Sequence, residues 1–146
     1  MDFDTYSYDE DLAENGRKIY LYDASYLIIC RWANKKFVQF FNQLTKPYGN
    51  TMGFGKFDAT GSMPEEKQAD IMREVVAKAI LVGWGGMTDE GKPLEYSVSN
   101  AVMILKKHPN FMRDVMVQAQ DDQTFKINAM DAELKNSKNS SGVKSE

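Results

Sequence analysis

The chain has 146 residues, a formal net charge of −3, 42% hydrophobic residues and a single cysteine. This length suits one domain, and the composition excludes a wholly disordered chain, a collagen-like fibre and a disulfide scaffold. No apolar run approaches the ~18 residues that span a bilayer, and the start Met-Asp-Phe-Asp lacks the basic and apolar regions of a signal peptide. We therefore expect a soluble protein of a reducing compartment, with no membrane partner.

The first 14 residues are strongly acidic. They contain six Asp or Glu residues and no Lys or Arg, whereas residues 15–126 contain 15 basic and 12 acidic residues. We predict a flexible acidic arm over 1–14, a single globular domain over 15–126 and a polar flexible tail over 127–146. The domain is too weakly basic to indicate a nucleic-acid partner, for which a domain pI above about 9 is typical.

Two runs rich in aromatic and β-branched residues follow the turn dipeptide Asn15-Gly16. They cover residues 17–22 and 25–30, and Asp23-Ala24 separates them. This arrangement predicts a β-hairpin. A lone hairpin is marginally stable in water, so we expect this one to pack on the helices that follow.

The next segment has the apolar spacing of a helix. Asn34 is expected to cap it, and Pro47 follows its predicted last residue, Lys46. Residues 49–61 contain four glycines without a helical period, which predicts a loop.

A second helix is predicted after this loop. Ser62 is expected to cap it, with Pro64 at an early position and Glu65 completing a capping box. The apolar run near its end indicates a deeply buried last turn, and the glycine-rich stretch 83–86 is predicted to end the helix.

The last part of the domain predicts a turn and two more helices. Residues 87–93 are typical of a tight turn or small hairpin, and Ser97 is expected to cap a third helix that His108-Pro109 ends. A fourth helix is predicted from about Asn110 to Asp122. The predicted fold is α+β and mostly α-helical, with an N-terminal β-hairpin packed on about four short helices and disordered ends.

Few residues could support catalysis. His108, the only histidine, is expected to interact with the last carbonyls of the third helix, and Cys30 is expected to be a small buried apolar residue. No His, Cys or carboxylate group has zinc or calcium spacing, and neither glycine cluster matches a phosphate-binding motif. We therefore predict no enzyme activity and no cofactor.

The nine methionines are the most unusual part of the composition. Methionine is favoured on adaptable binding surfaces, although it also fills cores. Some apolar residues lie off the main stripes of the third and fourth helices. The candidate partner-binding residues are Met103, Ile104, Met112 and Met116. They could form a groove for a partner helix, a contact between copies of the chain, or part of the core.

The block from Ile80 to Phe125 resembles the tail assembly chaperones of long-tailed bacteriophages. In both, a Gly-Trp-x-Gly sequence is followed by a turn with Asp, Gly and Pro, then Tyr-Ser and Asn-Ala. Arg31-Trp32-Ala33-Asn34 and the terminal Lys135-Asn136-Ser137 are similar to the family as well. The matching motif residues are Trp84, Gly86, Asp89, Gly91, Pro93, Tyr96, Ser97 and Asn100. We interpret these eight residues as structural.

The resemblance implies a non-enzymatic chaperone that binds the tape-measure protein, a long and mostly helical chain, and keeps it soluble until the tail tube polymerises. The tail tube protein is a further possible partner, and the short polar tail is similar to the family's short form. Such a protein acts in the host cytoplasm and is absent from the mature virion. The alternatives are a structural tail or neck protein retained in the virion and, third, a small enzyme. Val98, where the family often has proline, and the acidic arm depart from the pattern.

Overall fold

A computed structural model describes residues 2–51 and 63–126, with backbone only for 49–51. Within these residues the chain forms six α-helices and five β-strands. The helices are α1 (Glu10–Asn15), α2 (Lys35–Thr45), α3 (Glu65–Ala79), α4 (Val98–Lys107), α5 (Pro109–Gln120) and α6 (Asp122–Phe125). The strands are β1 (Arg17–Tyr20), β2 (Tyr26–Ile29), β3 (Leu81–Gly85), β4 (Thr88–Asp89) and β5 (Lys92–Pro93). Short 3₁₀ helices cover Phe3–Tyr6 and Lys46–Thr51.

The predicted fold class is confirmed: the protein is a mixed α and β fold, mostly helical, with a β-hairpin near its N-terminus. β1 and β2 form that hairpin, and β3 adds an antiparallel third strand beside β2. α3 contacts α2, α4 and β3. The core sits between the inner face of the sheet and these helices, and it includes Val115 and Ala119 of α5 and Phe125 of α6.

Burial alternates along the sheet. On β2, Leu27 and Ile29 are buried, and their partners Trp84 and Leu81 on β3 are buried as well. Tyr26 and Ile28 are half-buried on the opposite face, beside Gly85 and Gly83. A Cβ at Gly83 would lie 2.9 Å from Ile28 Cδ1, and a Cβ at Gly85 would overlap the ring of Tyr26. The two glycines thus let the side chains of β2 lie across β3.

Asn34 caps α2 as predicted. Its side-chain oxygen accepts a hydrogen bond from Phe37 N at 2.9 Å, and its amide nitrogen donates to the carbonyls of Arg31 (2.7 Å) and Ala79 (2.9 Å). The same buried side chain therefore fixes the start of α2 and its position against the end of α3. α2 ends at Thr45, before Pro47.

The predicted capping box of the second helix is wrong. α3 begins at Glu65 with Pro64 as its N-cap, and no side chain caps it. Ser62 lies outside the described residues, as do most of the predicted loop 49–61 and the polar tail 127–146.

The predicted end of this helix is also wrong. α3 ends at Ala79, and the chain passes through Ile80 directly into β3, so the glycine-rich stretch pairs with β2 instead of terminating a helix. An apolar run that is buried on all sides has no period that separates a helix end from a central strand. Pairing with β2, which lies more than 50 residues earlier in the sequence, decides between them.

Part of the acidic segment that we predicted to be a flexible arm is folded. Asp9 caps α1 by accepting from Asp11 N and Leu12 N, and Ala13 is buried. Asp9 N also donates to Phe125 O at 2.8 Å, which ties this segment to α6. Residues 8–14 therefore belong to the globular domain, because contacts with the end of that domain stabilise this short helix.

The fourth predicted helix is divided in two. α5 ends at Gln120, and Asp121 caps the four-residue α6 by accepting from Gln123 N at 2.9 Å. The Asp121-Asp122 pair is thus a helix start, where negative charge is favourable.

No helix within the described ranges 2–51 and 63–126 is long and apolar enough to cross a bilayer.

Candidate functional site

The motif block, which is the segment from Trp84 to Asn100 that contains the eight motif residues, folds as a single hydrogen-bonded unit around Trp84. The indole Nε1 donates to the carbonyl oxygen of Leu94 at 2.8 Å, and the ring of Tyr96 contacts the indole edge to face at 5.0 Å between centroids. The hydroxyl of Tyr96 reaches the carbonyl oxygens of Ala77 (2.7 Å) and Leu81 (2.8 Å). These bonds join the end of α3, strand β3 and the segment before α4.

Two glycines of the motif adopt backbone conformations that favour glycine. Glu90 and Gly91, at the tip of the β4–β5 hairpin, have φ of 51° and 79°, as a two-residue type I′ turn requires. Gly86 has φ of 71°, and a Cβ there would lie 3.2 Å from Ser25 Cβ. Pro93 pairs with Thr88 in the same hairpin. The small hairpin predicted over 87–93 is therefore confirmed.

The remaining polar motif residues position α4. Ser97 Oγ accepts from Asn100 N at 3.0 Å, as predicted for a cap, and Asn100 Nδ2 donates to Glu95 O at 2.9 Å. Asp89 accepts from Lys107 Nζ at 2.8 Å, so the hairpin is held to the last turn of α4. Each of these contacts joins two parts of the fold.

The imidazole of His108 does not contact the carbonyls of α4. Its Nε2 lies 3.4 Å from Asp89 Oδ1, while the backbone N–H of His108 closes the helix by donating to Ile104 O. The ring therefore faces the hairpin, where it lies beside the carboxylate of Asp89.

The motif block forms one wall of an open groove of about 330 Å³. The β4–β5 hairpin and its flanks form one side, and the corner between α4 and α5 forms the other. The lining is largely apolar with a polar rim: Trp84, Met87, Leu94, Ile104 and Phe111, then Thr88, Asp89, His108, Asn110 and Asp114. This size lies at the lower end of the 300–1,000 Å³ that is usual for small-ligand sites.

The rim of the groove is acidic. Among the residues that the structure describes, Asp89 and Asp114 are its charged lining residues, and no Lys or Arg lines it. The hydrogen bond from Lys107 lowers the pKa of Asp89 below its ordinary value, with a smaller contribution from His108. Asp89 is therefore ionised throughout the neutral range. Lys107, whose pKa is raised by Asp89 and Glu90, is held outside the groove by those two carboxylates.

The four candidate partner-binding residues lie in different surroundings. Ile104 lines the groove, and Met103 is 40% exposed on the outer side of α4. Met112 and Met116 are half-buried and pack against the core cluster. The structure therefore brings only Ile104 of these four to the groove.

The sequence did not indicate three of the groove residues, which are Met87, Leu94 and Phe111. Phe111 has the spacing of the core stripe of the fourth helix, and Met87 and Leu94 flank a turn. The sequence offered one signal, which is that Met87 and Leu94 follow the motif tryptophan within ten residues. Their common surface depends on how the hairpin folds against α4 and α5, which local spacing does not report.

Cys30 is buried, as predicted. It is 1% exposed, and its Sγ donates to Glu14 O at 3.4 Å. Burial raises the thiol pKa from 9.0 to about 11, so the reactive thiolate is disfavoured. In the described part of the chain, no cluster of three His, Cys, Asp or Glu side chains could hold a metal ion.

Comparison with known proteins identifies a family. The family model described as YdaY prophage protein matches residues 33–136, which include α2 to α6 and every residue that lines the groove. No curated protein and no solved structure matches the chain. Because the matched segment covers well over half of the sequence, the chain belongs to the YdaY prophage protein family and is of phage origin.

Proposed function

We propose that this prophage protein is a non-enzymatic tail assembly chaperone that binds the long helical tape-measure protein. It keeps that partner soluble in the host cytoplasm until the tail tube polymerises, and it is released before the virion is complete. The phage origin of the family supports this proposal at a coarse level. The resemblance of the block 80–125 to tail assembly chaperones supports the specific role.

The observation that carries the proposal is the groove between the β4–β5 hairpin and the α4–α5 corner. Its apolar lining includes two aromatic rings and a methionine, and the groove is open to solvent. Long amphipathic helices aggregate through their apolar faces when they have no partner, and a groove of this kind can cover part of such a face reversibly. Methionine and aromatic side chains adapt to different apolar partners along a long chain.

The test is co-expression with the long helical tail protein encoded by the same prophage. We expect the full-length chain to raise the soluble fraction of that protein, and the groove variant Ile104→Asp to lose this effect. Val117→Asp is the matched control, because Val117 is 59% exposed on α5 and does not line the groove. An unchanged soluble fraction with the wild-type chain would refute the chaperone proposal.

A second measurement separates a chaperone from a structural tail or neck protein. Immunoblots of induced lysates and of purified particles would follow the chain through assembly. We expect the protein in lysates and not in particles; stoichiometric retention in particles would favour the structural alternative.

A further inference from the structure

We propose that the groove selects amphipathic helices whose apolar stripe is flanked by lysine or arginine. This inference rests on the proposed function for the helical nature of the partner, and it adds the partner's chemistry. The lining of the groove supplies both parts of that chemistry: apolar walls and a rim of one charge sign.

The apolar walls of the groove would bind side chains of the partner and not the edge of a β-strand. Trp84 on β3, Leu94 in the segment after β5 and Phe111 on α5 all line the groove, so its walls converge on a concave space instead of a flat strand edge. A volume of about 330 Å³ holds a few large side chains. Apolar anchors one turn apart on a helix would fill it, as in other helix-in-groove complexes.

The acidic residues of the groove determine which charge is favoured beside those anchors on the partner helix. Asp114 is 72% exposed in the middle of α5, and Asp89 lies across the groove on β4. Lys107 pairs with both Asp89 and Glu90, so these three side chains together keep one net negative charge on this side of the groove. Cationic residues on the partner would therefore meet carboxylates on both sides, whereas acidic residues would be repelled.

His108 is the other titratable group that lines the groove, and it contacts Asp89. Arg113 lies 3.6 Å from Asp114 and is itself 67% exposed. An ion pair between neighbouring exposed side chains is weak, so Arg113 does not remove Asp114 as a partner for an incoming cation.

The experiment compares two fluorescein-labelled peptides with the same leucine stripe and the same length. One carries lysine beside the stripe and the other carries glutamate, and fluorescence anisotropy measures the Kd of each for the full chain. We expect the lysine peptide to bind about tenfold more tightly at low salt, with a smaller difference at physiological salt. Equal or reversed affinities would overturn the proposal, and so would the absence of binding by either peptide.

Variants locate the binding to the groove. Asp114→Lys should remove most of the preference for the lysine peptide, and Phe111→Ala should weaken both peptides. Val117→Ala should bind both peptides as the wild type does, since Val117 lies outside the groove. Asp114 is exposed, so its substitution tests the proposal even if Phe111→Ala destabilises the fold. Wild-type affinities in the Asp114→Lys variant would overturn it.

The peptide-binding experiment and the solubility assay can fail independently of each other. If the wild-type chain solubilises the tail protein but shows no charge preference, this inference fails and the chaperone proposal stands. If the charge preference holds and co-expression has no effect, the groove recognises basic amphipathic helices, and the chaperone proposal fails.

Discussion

The indole nitrogen of Trp84 donates a hydrogen bond to the carbonyl oxygen of Leu94 at 2.8 Å. This bond closes the segment that contains the β4–β5 hairpin, and both residues line the groove. The same interaction thus sets the path of the chain and the shape of the candidate binding surface.

Substitution of Trp84 by phenylalanine should test this bond. Trp84→Phe keeps an aromatic ring but leaves the Leu94 carbonyl without its donor, and we expect unfolding to require about 1–3 kcal/mol less free energy. Urea denaturation followed by circular dichroism measures the change. A loss of stability below about 0.5 kcal/mol would show that the bond has little energetic importance.

Tyr96 makes the second bond of this unit. Its hydroxyl is the donor for the carbonyls of Ala77 and Leu81, at the junction of α3 and β3. Tyr96→Phe should cost about 1–3 kcal/mol in free energy of unfolding. Tyr22→Phe is the matched control, because Tyr22 is fully exposed, and it should stay within about 0.5 kcal/mol of the wild type. Equal effects of the two substitutions would contradict the prediction.

The two helix caps should differ in strength. Asn34 makes three hydrogen bonds from a buried position, whereas Ser97 makes one from an exposed position. We expect Asn34→Ala to lower the free energy of unfolding by about 2–4 kcal/mol and Ser97→Ala by about 1 kcal/mol. Chemical denaturation of both variants checks this order, and a larger loss for Ser97→Ala would contradict it.

Gly85 should tolerate alanine less well than Gly91 does. The new Cβ would overlap the ring of Tyr26 at Gly85, whereas nothing lies within 4 Å of it at Gly91. Gly91→Ala should therefore lower the free energy of unfolding by only the strain of its positive φ, about 1 kcal/mol. Gly85→Ala should lower it by more. If overlap with Tyr26 is the cause, Tyr26→Ala should recover part of the loss in a double-mutant cycle. Additive effects would exclude that cause.

Cys30 should make stability fall at alkaline pH. Its pKa is raised from 9.0 to about 11 by burial, so the unfolded chain loses the thiol proton at lower pH than the folded chain does. Stability from this group is therefore complete below pH 9 and is lost as the pH rises toward about 11. Cys30→Ala should flatten this decline in urea denaturation measured across that range. Burial also raises the pKa of Tyr96 above its ordinary 10.0, so part of the decline above about pH 10 should remain in the variant. An unchanged slope in Cys30→Ala would contradict the prediction.

Local patterns predicted most of the elements correctly. The hairpin, the Asn34 cap, the turn at Glu90-Gly91 and the Ser97 cap depend on residues close together in the sequence, and each has a physical signature there. The errors fall where distant segments decide the structure. The residues after Ala79 pair with β2, and α1 is held by contacts with α6.

The candidate site likewise combines features that local sequence predicts with features that only contacts between distant segments decide. The sequence alone identified the tryptophan block, which contributes Trp84 and Asp89 to the groove, and also Ile104, because a motif and an off-stripe position are local features. Only the tertiary structure placed Met112 and Met116 against the core and brought Phe111, Met87 and Leu94 beside Trp84. A helical period reports which side chains share a face, but the surface that covers that face depends on how the helices and the small hairpin pack together.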